Sequence, residues 1–240
     1  MTGVNRWRYH ADMLIYWLPW LIGGYLLGSV SFALLLGRMK GIDIRQHGSG
    51  NVGATNLGRA LGKKWGILCF VLDLGKGLIP VLGYRMTLLA AADEPGDGAT
   101  GMLLWLAVGV AAVLGHVFPV FLKFKGGKGV ATSAGALLGF WPVLTVPTLA
   151  SAVVWFGVTK LTAYVGLASV LAAAVLPVLV VGFGLLMGYE PGQIAINTGV
   201  SALLAALVIY RHRSNIKRLL AGTEDQVEWA KRKKAAEPEA

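Results

Sequence analysis

The stretch LIYWLPWLIGGYLLGSVSFALLL, residues 14–36, decides the fold. It carries no charge and exceeds the roughly 20 apolar residues that cross a bilayer core. Tyr16, Trp17 and Trp20 crowd its first turns, where amphipathic rings favour the membrane interface. Gly24 and Gly28, four apart, offer a small-residue face for close helix packing. Around this stretch the chain keeps the same character: 240 residues, 55% hydrophobic and only 14% charged, with a mean hydropathy of +0.63. These values exclude an ordinary soluble domain and define an all-α polytopic membrane protein.

Further apolar runs follow in order. Trp65 to Ala91 contains Asp73 and Lys76, which stand three apart and either pair with each other or reach a substrate. Met102 to Leu122 crosses back and carries His116. From Val130 the chain is apolar to Phe183 and beyond, interrupted by Pro142, Pro147, Lys160 and Pro177. It divides into a short helix over about 130–141, one over 143–160 and one over 165–187. Ile194 to Tyr210 is the last span, giving about seven transmembrane helices. Three regions result: an N-terminal segment 1–13 without the pattern of a signal peptide, a membrane domain 14–210, and a basic tail 211–240.

Charge sets the orientation. Residues 37–65 carry Arg38, Lys40, Arg45, Arg59, Lys63 and Lys64 against Asp43 alone, and Lys123, Lys125 and Lys128 follow in a later loop. The tail is also basic, through Lys231-Arg232-Lys233-Lys234, whereas Asp93-Glu94-Pro95-Gly96-Asp97 is acidic. The positive-inside rule places the basic loops and C-terminus in the cytoplasm and the acidic turn and N-terminus outside. The net charge of +10 therefore points to a membrane surface and anionic substrates, with no nucleic acid partner.

Three polar clusters fall on that one face. Gly48-Ser49-Gly50-Asn51-Val52-Gly53-Ala54-Thr55-Asn56 packs glycines, amides and hydroxyls into nine residues, a composition suited to holding an anion. A ligand-free connector is the alternative. Lys125-Gly126-Gly127-Lys128-Gly129 is not a Walker A loop, because Gly129 replaces the hydroxyl residue after the lysine. A glycine turn opening a helix at Val130 still offers N–H groups and a lysine to phosphate, although topology alone also places lysines there. His212 and Asn215 lie three apart on one helical face, as catalytic groups or as a solvated helix end. The histidines are scattered, no metal-ligand spacing occurs, and Cys69, the sole cysteine, is read as inert packing; no metal or cofactor is expected.

These three motifs, with Gly115 to Thr132 and Tyr210 to Leu219 read in full, closely resemble the bacterial acyl-phosphate:glycerol-3-phosphate acyltransferase family (PlsY) over residues 14 to 224. The resemblance implies an inner-membrane enzyme making lysophosphatidic acid from acyl phosphate and glycerol 3-phosphate. It further implies catalytic roles for Ser49, Arg59, Lys128, His212 and Asn215. Substrate or phosphate binding falls to Asn51, Gly53, Thr55, Asn56, Gly126, Gly127, Gly129 and Ser169, and a structural role to Glu224. Gly166 departs from the family's usual serine at that position. Membrane lipid and the enzyme that makes acyl phosphate are the other expected partners. A transporter, a lipid-binding scaffold and transfer from a thioester donor are the rival readings. The base is either His212 or a substrate phosphate.

Overall fold

A computed structural model describes residues 3–90 and 98–230. The acidic turn at 93–97 and the basic run at 231–234 lie outside the described residues. Helices α1 (Gly3–Gly28) and α2 (Phe32–Met39) come first, followed by a 3-10 turn (Ile44–Gln46) and α3 (Ala54–Leu61). Then come α4 (Lys63–Ala90), α5 (Gly98–Val117), a second 3-10 turn (Val120–Leu122), α6 (Val130–Leu138) and α7 (Thr145–Thr162). The series closes with α8 (Val165–Leu186), α9 (Pro191–Arg211), α10 (Arg213–Leu220) and a 3-10 turn (Glu228–Ala230). No strand occurs among the described residues.

Most expected spans lie within a few residues of an observed helix, but the founding one does not run straight. Residues 14–36 are broken at Ser29-Val30-Ser31, and α1 and α2 meet at a 43° bend. Ser29 turns its hydroxyl back onto the Tyr25 carbonyl, and Ser31 caps α2 by accepting from the Leu34 amide. Two serines thus offer the backbone local partners that compete with a continuous helix. Trp17 and Trp20 also do more than sit at an interface. Trp17 donates to the Leu104 carbonyl at 2.7 Å and Trp20 to the Thr87 hydroxyl at 3.0 Å, pinning α1 to α5 and α4.

By length and composition, four described helices can cross a membrane (α4, α5, α8 and α9), or five if the bent α1–α2 pair is one span. Helix α6, with nine residues, is about 13 Å long and cannot cross alone. It leans on α4 and α5 and joins their core through Ala136 and Leu137, beside Val81, Val113, Phe140 and Leu176. The approach of α4 to α6 is close because glycine faces backbone on both sides. A Cβ at Gly77 would overlap the Thr132 carbonyl, and one at Gly135 would overlap the Leu74 carbonyl. This is van der Waals packing through small residues, the main attraction available between helices in lipid.

Gly77→Ala and Gly135→Ala are therefore expected to lower the melting temperature in detergent, at a cost of about 1–3 kcal/mol each. Gly75→Ala, on the same helix but facing open space, is the control and should not destabilise. Equal melting of all three variants would mean that α4 and α6 do not meet through these glycines.

Candidate active site

The glycine loop is shaped by one buried side chain. Asn56 accepts from the Ser49 amide through Oδ1, and its Nδ2 donates to the carbonyls of Ile44, His47 and Asn51. Gly48 and Gly50 turn with φ of +53° and +67°, which L side chains resist, and bring the loop around this amide. The amide hydrogens of Asn56 are thereby committed, so it serves as the loop's internal staple more than as a donor to ligand. Ser49, Asn51, Gly53 and Thr55 remain on the wall of a cavity of about 230 Å³.

The opposite wall holds the cations. Lys128 donates through Nζ to Asn215 Oδ1 at 2.5 Å, and Asn215 Nδ2 donates to Glu224 Oε1 at 2.6 Å. Arg218 closes the chain on Glu224 Oε2 at 2.7 Å. Burial, with Arg218, Arg59 and Arg211 nearby, pushes the Lys128 ammonium down to about 8 against the pull of Glu224. Arg59, in the last turn of α3, donates to the Asp225 carbonyl at 2.9 Å and lies 3.7 Å from its carboxylate. His212 lies where α9 gives way to α10, with Nδ1 2.8 Å from the Val208 carbonyl. Burial first, then Lys128, push its imidazole down to about 4, so it is neutral near pH 7. Nδ1 then carries the proton, leaving the Nε2 lone pair free.

Ser49, Asn51, Gly53, Thr55, Asn56, Arg59, Lys128, Gly129, Ser169, His212, Asn215 and Glu224 all line this cavity. Gly126 and Gly127 do not. Their N–H groups are spent on the Val117 and His116 carbonyls, and their own carbonyls accept from Arg211. Of the glycines around Lys128, Gly129, just before α6, is the one that lines the cavity. Gly126 and Gly127 instead leave room for α5: a Cβ on either would overlap His116. Ser169 donates to Val165 O and accepts from Trp155 Nε1, tying α8 to α7. Gly166 abuts Asn215, where a Cβ would come within 2.9 Å of Nδ2. The serine expected at that position therefore could not sit here unless Asn215 moved.

Below its polar mouth the cavity is lined by Leu137, Trp155, Ala172, Leu176, Leu204 and Val208. Sequence reasoning named none of these for the site, because an apolar wall facing a cavity reads the same as one facing lipid. Asp73 and His116 also reach the cavity. So do Ser133 and Thr148, whose buried hydroxyl oxygens have no hydrogen-bond partner among the described residues. No group of His, Cys, Asp and Glu able to hold a metal ion occurs among the described residues.

Helices of membrane-spanning length around a cavity with basic and amide side chains on one part of its wall and apolar ones on another define an integral membrane protein with an amphipathic cavity. The model of the glycerol-3-phosphate acyltransferase family matches residues 18–222, and the chain belongs to that family. The glycerol-3-phosphate acyltransferase of Trichlorobacter lovleyi is 46% identical over 209 residues, covering 87% of this chain and 96% of the relative. That of Aquifex aeolicus is 43% identical over 208 residues, covering 85% and 95%. Among solved structures, PlsY (YgiH), an integral membrane glycerol 3-phosphate acyltransferase, aligns in its glycerol 3-phosphate form. That alignment has a TM-score of 0.72 and 41% identity, over 88% of this chain and 95% of that one. The lysophosphatidic acid form of PlsY aligns with a TM-score of 0.71 and 40% identity, over 88% and 94%.

Two substitutions separate scaffold from site. Glu224→Ala leaves Asn215 and Arg218 without their acceptor and is expected to cost about 1.5–3 kcal/mol of stability. Lys128→Ala removes one donor to Asn215 together with a half-buried charge, so it should lower the melting temperature less than Glu224→Ala while losing most activity. In the wild type, activity should fall as pH rises through about 8, where Lys128 loses its charge. Lys128→Arg keeps the charge, so its residual activity should persist to higher pH. An identical alkaline limb in both proteins would remove Lys128 as the titrating cation.

Proposed function

We propose that this protein transfers a fatty acyl group from acyl phosphate to the sn-1 hydroxyl of glycerol 3-phosphate, releasing inorganic phosphate and lysophosphatidic acid. The observation that carries the reading is the amphipathic cavity, with Arg59, Lys128, Asn215 and Ser49 at one end and an apolar chamber at the other. The family and the glycerol 3-phosphate form of PlsY support the acceptor. The donor follows from the chemistry of the cavity: both its phosphate and that of the acceptor need cations, while the acyl chain needs the chamber.

The step balances simply. The glycerol hydroxyl oxygen attacks the acyl carbonyl carbon, the bond from that carbon to the phosphate oxygen breaks, and phosphate leaves with the electron pair. Arg59 and Lys128 hold the two phosphates and align the hydroxyl. Ser49 and the N–H groups at the start of α6 donate to the oxygen on which charge develops. His212, held near 4, is a weak proton acceptor. A substrate phosphate, with a second pKa of about 6, accepts the hydroxyl proton better. The donor is already activated, so Ser49 binds and does not become acylated; it also lacks the strained elbow of a nucleophilic serine.

Purified protein given glycerol 3-phosphate with acyl phosphate or acyl-CoA in parallel tests this reading. Product should form from acyl phosphate, and equal efficiency from acyl-CoA would defeat the donor assignment. Intact-protein mass spectrometry after mixing with acyl phosphate alone should show no adduct. A competent acyl adduct on Ser49, discharged by glycerol 3-phosphate, would replace direct transfer with two steps.

We further propose seven crossings in the bacterial inner membrane, the short α6 and the turn after it together counting as one, with the N-terminus outside and the C-terminus and site cytoplasmic. The basic residues beside the cavity support this orientation. Association with the enzyme that makes acyl phosphate would shorten the transit of a labile donor. Cysteines placed at His47, Lys125 and Arg213 in a Cys69→Ser background should resist impermeant thiol reagents in intact cells and react after lysis. Labelling of all three from outside would reverse the orientation.

A further inference from the structure

Among the buried polar groups that the mechanism above does not use, four cluster together: Asp73 and Lys76 on α4, His116 near the end of α5, and Thr132 on α6. Lys76 Nζ lies 2.9 Å from Asp73 Oδ1 and donates to the Val30 carbonyl at 2.7 Å. Cys69 Sγ approaches Asp73 Oδ2 at 3.6 Å. His116 Nδ1 stands 3.7 Å from Asp73 Oδ1 and 3.1 Å from the Thr132 hydroxyl. Lys76 is thus accounted for by its carboxylate and by a carbonyl exposed at the break after α1. The histidine is not, since it belongs to neither the helix break nor the cation wall.

Its surroundings assign it a task. The Nδ1 edge of the ring meets Thr132, four residues after Lys128. The Nε2 edge points at Gly127, immediately before Lys128, where any Cβ would collide with it. The His116 carbonyl also accepts from the Gly127 amide at 3.1 Å. One residue therefore grips the chain on both sides of Lys128, and Asp73 and Thr132 fix the plane of its ring. Lys128 itself sits on a loop, next to left-handed backbone at Gly129.

We propose that His116, held by Asp73 and Thr132, is a positioning residue that fixes the Gly126–Gly129 loop so that Lys128 meets the phosphate of glycerol 3-phosphate. This rests on the acyltransferase reading above. His116 acts through Lys128 and does not touch the reacting atoms. A misplacement of about 1 Å in such a clamp can cost up to about a hundredfold, and the loss should appear in acceptor binding.

The test uses the full-length protein in detergent with acyl phosphate and varied glycerol 3-phosphate. His116→Leu should raise KM for glycerol 3-phosphate by about tenfold or more with kcat within about threefold. His116→Asn, which keeps a polar atom near the Nδ1 position, should recover most of that loss. In a double-mutant cycle His116→Leu should add little to Lys128→Ala, since both act through one ammonium. A wild-type KM in His116→Leu, a loss confined to kcat, or full additivity with Lys128→Ala would each overturn the proposal. Should His116→Leu fail to fold, Thr132→Val decides: a raised KM supports the positioning role and an unchanged one removes it. Absence of product from the wild-type protein would instead defeat the acyltransferase reading on which this one stands.

Discussion

A half-buried ammonium with no carboxylate of its own is the constraint around which the site is arranged. Lys128 is held by the oxygen of an amide, Asn215, whose NH₂ is in turn held by Glu224. A lysine paired directly with glutamate would have its charge neutralised before substrate arrived, and a phosphate would have to displace the carboxylate. One amide between them relays the orientation while leaving most of the positive charge unspent. The consequence is the depressed lysine, whose burial is only partly offset by Glu224.

A related economy recurs at three breaks between helices. A chain in lipid must satisfy backbone groups internally, because each one left bare costs several kcal/mol. Val30, at the break after α1, gives its carbonyl to Lys76; Gly126 and Gly127 give theirs to Arg211; Asp225 gives its own to Arg59. Each of these cations comes from a different helix, so each bond also fastens one element to another. Arg59 and Arg211 serve the site twice, as tethers for loops and as part of its positive field.

Legibility divides along physical lines. Length and hydropathy located α4, α8 and α9 within a few residues, because an apolar run of that length has few other fates. The bend at Ser29 and Ser31 was hidden, since two serines in an apolar run look like tolerated polar residues until their hydroxyls are seen bonding to the backbone. Helix α3 was hidden too. Its eight residues, Ala54 to Leu61, begin inside a glycine-rich motif, and an apolar stripe of Ala54, Leu57 and Leu61 is too short to stand out from it. The three motif loops were visible as one polar face, and the cavity brings Ser49, Arg59, Lys128, His212 and Asn215 together. The division of labour within a loop was not visible. Asn56 and Asn51 are the same residue type five apart, yet one is consumed by the loop's own carbonyls and the other faces the cavity. Only three-dimensional hydrogen bonding separates a group that shapes a site from one that is free to use it.

The apolar packing and the polar chemistry are also one problem. Gly77 lets α4 approach until it meets the Thr132 carbonyl, and Thr132 is the residue whose hydroxyl meets His116. A side chain at Gly77 would therefore push back the turn of α6 that follows directly from Lys128, and would widen the gap between Asp73 on α4 and the imidazole. Placement of the cation depends on how closely two helices approach about a turn away, a distance set by the absence of side chains. In water such a contact could be loosened and still be held by hydrophobic burial. In lipid the alternative neighbour is equally apolar, so close fit at Gly77 and Gly135 is what keeps α6, and with it the lysine, in register.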